Sequence, residues 1–168
     1  MIRSDINKII QPAYKFVTLS LMLLPIGGCG TVSYVSKLWN VSVQTEEVTL
    51  TAAPNVNRDF PVAVDLVAVE DKAFAQVLAD TPANKWFESR STFLSNNPDK
   101  IDVRSYELVP GQTIEGIDYS WGDRRSYGAI YVYAGYLTPG THRIRVDSYD
   151  TPVVVLGPKT LDVGAGDD

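Results

Sequence analysis

The clearest β-strand in the sequence is the segment Phe60-Pro61-Val62-Ala63-Val64-Asp65-Leu66-Val67-Ala68-Val69. Apolar residues that alternate with a period of two are typical of a strand with a buried face, and Val62, Val64 and Leu66 share one face here. Val67 and Val69 fall on the opposite face. A strand that is apolar on both faces is normally covered on both. We therefore predict that part of this strand is packed on both sides.

The spacing of the apolar residues changes after this strand and predicts two short helices inserted over about residues 72–95. Asp71 precedes the first helix and is expected to cap it. The second helix is expected to begin at Thr81-Pro82, an N-cap followed by proline at the first helical position. The apolar positions of the first helix are Phe74, Val77 and Leu78. Those of the second are Ala83, Trp86, Phe87, Phe93 and Leu94.

Short strands separated by turns account for the rest of the domain. A first strand is expected at Val41–Val43 and resumes at Val48–Leu50, and the alternation in residues 101–108 predicts a bulge near Arg104-Ser105. Pro110-Gly111 and Pro139-Gly140 predict turns. The other predicted strands are residues 113–119, 129–136, 143–147, 153–156 and 160–163. Seven to eight strands without crossover helices predict a mostly β, antiparallel sandwich.

The N-terminal region has the features of an export signal. Arg3, Lys8 and Lys15 precede an apolar run that is shorter than the ~20 residues a membrane-spanning helix needs. The run ends at Ile26-Gly27-Gly28-Cys29, which resembles a bacterial lipobox. Residues 1–28 are therefore predicted to be a lipoprotein signal peptide. The Cys29 thiol, the only one in the chain, is predicted to carry the lipid anchor.

The charge of the mature chain limits the kinds of partner that it can bind, and its composition indicates where its segments begin and end. Residues 29–168 hold 12 basic and 19 acidic residues, a formal charge of −7, which argues against a nucleic-acid partner. We expect a lipidated tether over residues 29–40 and one sandwich domain over residues 41–164. Residues 165–168 are expected to be frayed. By resemblance to bacterial lipoproteins, Gly30 after the cysteine implies sorting to the outer membrane.

The sequence gives little support for catalysis, and we predict no catalytic residue, no metal site and no cofactor. His142 is the only histidine, which excludes Ser-His-Asp, Cys-His and multi-histidine metal sites. Adjacent carboxylates such as Glu46-Glu47 and Glu70-Asp71 point apart on regular elements. The glycines lie in turns rather than in a phosphate-binding loop.

One aromatic cluster offers an alternative function. Aromatic rings on a sandwich face can stack on sugars, so a sugar-binding sandwich stays open as a hypothesis. Packing of these rings against the sheet is the simpler interpretation, because aromatic residues are favoured in strands. The cluster comprises Trp121, Tyr127, Tyr131, Tyr133 and Tyr136.

The order of these features resembles the TssJ family, the outer-membrane lipoproteins of type VI secretion systems. The resemblance covers most of residues 29–150 and depends on order rather than on one motif. It consists of the lipobox at Cys29, a first strand, the run Asn57–Leu66, the helical insertion Phe74–Phe87, and Tyr106-Glu107-Leu108-Val109-Pro110-Gly111-Gln112.

The resemblance implies a transthyretin-like β-sandwich without enzymatic activity, anchored in the outer membrane and facing the periplasm. It implies a role in tethering the periplasmic domain of an inner-membrane TssM-type subunit. Another envelope or secretion accessory lipoprotein is the alternative. In that family the loop between the first two strands contacts the partner, which here is Ala52–Asp59. The expected binding residues are Pro54, Asn55, Val56, Asn57, Arg58 and Asp59, on a loop expected to be dispensable for folding.

Replacement of Cys29 by Ser should abolish lipid labelling and move the protein from the membrane to the soluble fraction, because the thiol is the group that accepts the lipid. Each buried methylene contributes about 0.8 kcal/mol to membrane binding, so the loss of several acyl chains is decisive. Metabolic labelling with a fatty acid, followed by fractionation, checks this. Sedimentation of Cys29→Ser with outer membranes would refute the anchor.

Overall fold

The computed structural model describes residues 43–118 and 127–166. The predicted signal peptide, the tether, Cys29 and the polar loop that contains Trp121 lie outside these residues. The described chain contains eight strands and two helices. The strands are β1 (Glu47–Ala52), β2 (Val62–Val69), β3 (Ile101–Leu108), β4 (Thr113–Asp118), β5 (Ala129–Ala134), β6 (Arg143–Arg145), β7 (Pro152–Leu156) and β8 (Leu161–Ala165). The helices are α1 (Lys72–Asp80) and α2 (Ala83–Asn96).

The strands form two four-stranded sheets, which confirms the predicted sandwich with a two-helix insertion. The first sheet has the order β4-β1-β7-β8 and the second β3-β2-β5-β6. Every neighbouring pair is antiparallel except β1 and β7, which are parallel. β4 and β8 run antiparallel to the strands that they pair with, so the parallel pair β1 and β7 makes the first sheet mixed. The sequence does not show this strand order.

β2 packs on both sides, as its apolar pattern predicts. Val62, Val64 and Leu66 lie in the core between the two sheets. Val67 and Val69 lie in a second core between the second sheet and the two helices. β2 also has a strand on each edge, since β3 and β5 both pair with it. It is therefore the central strand of the domain.

The bulge predicted near Arg104-Ser105 is wrong. β3 pairs with β2 in an unbroken register from Leu108 opposite Val62 to Ile101 opposite Val69. The apolar residues switch from one face of β3 to the other, because the two ends of the strand pack into different cores. Leu108 faces the core between the sheets, whereas Ile101 faces the helices.

The helix starts follow one prediction and depart from another. The Asp71 carboxylate accepts a hydrogen bond from the Phe74 N–H at 2.8 Å, as expected of a cap, and this bond holds the pKa of Asp71 below its ordinary value. Thr81 does not cap α2, because Pro82 occupies the N-cap position. The Thr81 hydroxyl instead donates backward to the Val77 carbonyl at 2.8 Å.

The ends of the predicted sandwich also differ from expectation. Residues 43–46 are not in a strand, although Val43 is buried in the core between the sheets. At the other end, β8 continues to Ala165, and the Gly166 N–H donates to the Thr151 carbonyl at 2.8 Å. Backbone pairing thus orders residues 165–166, which were expected to be frayed.

Trp86 joins the helices to β2 through a buried polar contact. The Trp86 indole is fully buried and lies 5.0 Å from the Tyr133 ring, measured between ring centroids. Its Nε1–H donates to the Asp65 carboxylate on β2 at 2.8 Å. Arg90 on α2 lies 3.3 Å from the same carboxylate. Asp65, which is 1% exposed, is therefore paired with two donors from one helix.

Trp86→Ala should lower the free energy of unfolding by about 3–5 kcal/mol, the usual cost of truncating a buried aromatic side chain. The change also leaves Asp65 with one donor fewer. Thermal and chemical denaturation followed by circular dichroism measure the loss. Lys85→Ala is the matched control, because Lys85 lies on the same helix and its exposed ion pair with Glu88 contributes at most about 1 kcal/mol. Equal melting curves for the two variants would contradict the buried role of Trp86.

Candidate partner interface

Three connections meet at one end of the sandwich, and we call this end the tip. They are the β1–β2 loop (residues 53–61), the β3–β4 turn (residues 109–112) and the β5–β6 loop (residues 135–142). Hydrogen bonds join them: the Gly111 N–H donates to the Ala53 carbonyl at 3.3 Å, and the Leu137 N–H donates to the Asn57 Oδ1 at 2.7 Å. The tip is thus a surface formed by several loops rather than by one.

The β1–β2 loop contains a tight turn at Val56–Asp59. Three consecutive residues have positive φ, namely Asn57 at 47°, Arg58 at 60° and Asp59 at 66°. Asn and Asp tolerate the left-handed region better than most residues, whereas Arg rarely adopts it. Strained backbone of this kind is found at recognition and active sites, where the surrounding structure holds it in place.

The structure divides the predicted binding residues into two groups. Pro54, Asn55, Arg58 and Asp59 are exposed, as binding residues must be. Val56 is fully buried and belongs to the core between the sheets, and Asn57 is only 3% exposed. The burial of Val56 argues against the expectation that this whole loop is dispensable for folding. A lone valine among turn-forming residues gives no sequence signal that it is a core residue.

The tip also carries three large apolar side chains that sequence reasoning missed. Phe60 is 60% exposed, Val109 is 51% exposed and Leu137 is 59% exposed. Each comes from a different connection, and we call the three the apolar tip residues. A sequence signal exists in retrospect, because each of them stands one or two residues before a turn proline (Pro61, Pro110 and Pro139). A turn residue has little opportunity to bury its side chain.

The tyrosine cluster does not form a ligand site in the described residues. The Tyr131 and Tyr133 rings lie in the core beneath the helices, and their hydroxyls donate to the carbonyls of Ala75 and Leu78, each at 2.9 Å. Burial raises the pKa of both phenols above the ordinary value. Because these rings are enclosed, the sugar-binding hypothesis is wrong for them.

The remaining described tyrosines of the cluster are also structural. Tyr136 donates to the carbonyls of Gly157 and Thr160, and burial raises its pKa to about 12. Tyr127 is 7% exposed, and burial raises its pKa to about 12 as well. Both phenols therefore stay protonated at neutral pH.

The described part of the chain contains no group of three His, Cys, Asp or Glu side chains that could hold a metal ion. His142 lies beside the Tyr136 ring at 4.5 Å between centroids, and its Nε2 is 2.7 Å from the Thr138 carbonyl. Over the same described residues, no helix is long and apolar enough to cross a bilayer.

Comparison with known proteins gives a structural match without a sequence match. No family model matches the chain, and no curated protein is significantly similar to it in sequence. Among solved structures, it superposes on the type VI secretion lipoprotein TssJ1 from Pseudomonas aeruginosa with a TM-score of 0.54 and 20% identity. That superposition covers 74% of this chain and 98% of the other. This chain therefore has the fold of that lipoprotein.

Two further structures agree. One is Lip from Serratia marcescens, a membrane-bound component of the type VI secretion system, at a TM-score of 0.51 and 17% identity over 74% of this chain and 99% of the other. The other is a chain in a structure of the TssM C-terminal domain from EAEC, at a TM-score of 0.54 and 15% identity over 72% of this chain and 98% of the other. At such low identity the comparison establishes the fold alone.

Val56→Ala should lower the free energy of unfolding by about 1–3 kcal/mol, since it removes two buried methyl groups and leaves a cavity. Asn55→Ala, one residue away and exposed, is the matched control and should leave stability unchanged within about 0.5 kcal/mol. Urea denaturation of both variants makes the comparison. A neutral Val56→Ala would show that this loop does not contribute to the core.

Proposed function

We propose that this protein is a non-enzymatic outer-membrane lipoprotein of a type VI secretion system, which binds the periplasmic domain of an inner-membrane TssM-type subunit through the tip. The observation that supports this most strongly is the exposure of Phe60, Val109 and Leu137 on three adjacent connections. A soluble domain gains nothing by exposing large apolar side chains together, and such groups mark interaction sites.

The distribution of exposed apolar residues favours the tip over other surfaces. The described residues include five large hydrophobic side chains with high exposure, and three of them are the apolar tip residues. The other two are isolated, since Val77 lies on α1 and Val155 on the outer face of the first sheet. Single exposed hydrophobic residues are ordinary, whereas three on neighbouring loops form a surface that a partner can bury.

Four exposed residues, three of them polar, accompany Phe60 on the β1–β2 loop. Pro54, Asn55, Arg58 and Asp59 are exposed on the same loop that carries Phe60. Arg58 forms no ion pair with any described residue, so its guanidinium is free to bind a partner carboxylate or carbonyl. Binding energy usually concentrates in a few apolar or arginine side chains inside a polar rim. Arg58 and Phe60 are therefore our first candidates for energetically important contacts.

The comparisons support this assignment of partner and membrane. One protein of the same fold is called a type VI secretion lipoprotein, and another a membrane-bound component of that system. A third chain of the same fold was found in a structure of the TssM C-terminal domain. Cys29 supplies the lipid anchor in this proposal. Multiple acyl chains on one cysteine hold a protein at a membrane durably, whereas a single chain gives only marginal binding.

Phe60→Ala and Leu137→Ala should each weaken binding to the purified periplasmic domain of the TssM-type protein from the same genome. We expect the Kd to rise at least about fivefold, since truncation of an important interface side chain costs more than ~1 kcal/mol. Surface plasmon resonance or calorimetry with the detergent-purified lipoprotein gives the affinity. Both side chains are exposed, so thermal stability should not change.

Val155→Ala is the matched control, because Val155 is 44% exposed but lies on the outer face of the first sheet. Its affinity should equal that of the wild type. An interface elsewhere on the molecule would leave Phe60→Ala and Leu137→Ala at wild-type affinity, and that result would refute the proposed role of the tip.

A further inference from the structure

Asn57 is the one polar residue of the tip whose side chain is almost completely buried, at 3% exposure. The sequence marked it as a residue that contacts the partner. A side chain with so little accessible surface cannot offer much to a partner without unfolding the loop. The role of Asn57 must therefore come from its hydrogen bonds within the protein.

Those bonds connect two of the three connections of the tip. The Asn57 Oδ1 accepts from the Leu137 N–H at 2.7 Å, across 80 residues of sequence. The Nδ2 donates to the Pro61 carbonyl at 2.9 Å. The backbone carbonyl of Asn57 accepts from the Phe60 N–H at 3.3 Å. One residue thus bonds to the backbone of Leu137, to that of Phe60 and to the residue after Phe60.

This arrangement matters because the Phe60 and Leu137 side chains are 60% and 59% exposed. Because most of each residue's surface is exposed, the backbone beneath it largely decides where the side chain lies. We propose that Asn57 is a positioning residue that fixes Phe60 and Leu137 relative to each other and so preorganises the tip for its partner. This inference rests on the proposed function of the tip.

The consequence is kinetic. If loss of the Asn57 bonds leaves the two loops in the binding-competent arrangement only part of the time, the apparent Kd rises by the inverse of that fraction. Association then slows, while dissociation of the formed complex changes little. Truncation of a contact residue acts mainly on dissociation instead. The two roles are therefore separable by rate measurement.

Asn57→Gly is the variant that tests this, because glycine accepts the positive φ of 47° at this position without strain and removes both side-chain bonds. Association with the periplasmic domain of the TssM-type protein, measured by surface plasmon resonance on the detergent-purified full chain, should slow by about tenfold when the competent fraction falls to one tenth. The Leu137 amide, whose partner is the Asn57 side chain, should also lose protection from hydrogen exchange.

Two controls separate positioning from general damage. Thr45 is fully buried, and its hydroxyl bonds the carbonyls of Val146 at 3.1 Å and Tyr149 at 2.8 Å, away from the tip. Thr45→Val should therefore destabilise the fold without slowing association. Asp99→Gly places a glycine in the exposed turn before β3, at the opposite end of that strand from the tip, and its association should not slow. Equal slowing by either control would overturn the inference.

Other outcomes are equally decisive. Faster dissociation of Asn57→Gly with unchanged association would make Asn57 a contact residue and overturn positioning. A Leu137 amide that stays protected in this variant would do the same. If Asn57→Gly does not fold, Asn57→Asp replaces it. That variant keeps an acceptor for the Leu137 N–H but places an oxygen against the Pro61 carbonyl where the Nδ2 donor lay, so its association should also slow. A wild-type association rate for Asn57→Asp would count against the inference.

The test also distinguishes failure of this inference from failure of the proposed function. If Asn57→Gly binds at wild-type rates while Phe60→Ala binds weakly, the tip is still supported as the interface. Only the positioning role of Asn57 is then refuted. If all the tip variants bind with wild-type affinity, the proposed function itself is refuted, whether or not the Leu137 amide loses its protection from hydrogen exchange.

Discussion

β2 must bury both of its faces, and the rest of the domain is arranged around that requirement. Val62, Val64 and Leu66 need an apolar layer on one side, which the first sheet supplies. Val67 and Val69 need a layer on the other, which the two helices supply. A strand with strands on both edges and packing on both faces is held on every side. The connections at its ends are therefore attached to a rigid support.

Burial also explains how polar groups are used in this fold. Asp65 points toward the helices and would be costly there as an unpaired charge, but it accepts from Trp86 and pairs with Arg90. Asp147 is 1% exposed and is bonded by Arg145 and by the Ile130 N–H, and the hydrogen bond to Asp147 raises the pKa of Arg145. Each buried carboxylate thus links neighbouring elements of the structure.

The tip combines rigidity with exposure. Val56 anchors the β1–β2 loop in the core, and Asn57 bonds it to the β5–β6 loop, while Phe60 and Leu137 remain exposed. Recognition loops on rigid scaffolds lose little conformational entropy when they bind, which leaves more of the contact energy for affinity. The left-handed turn at residues 57–59 is maintained by the same two anchors.

The sequence by itself determined the features that depend on local pattern: the strands, the two helices, the Asp71 cap, the Pro110-Gly111 turn and the sandwich class. These follow from periodicity and turn chemistry, which act between near neighbours. Only the tertiary structure decided the parallel pairing of β1 with β7, the unbroken register of β3 and the burial of Val56 and Asn57. It also brought Phe60, Val109 and Leu137 to one surface, because contacts between residues far apart in sequence leave no local periodic signal.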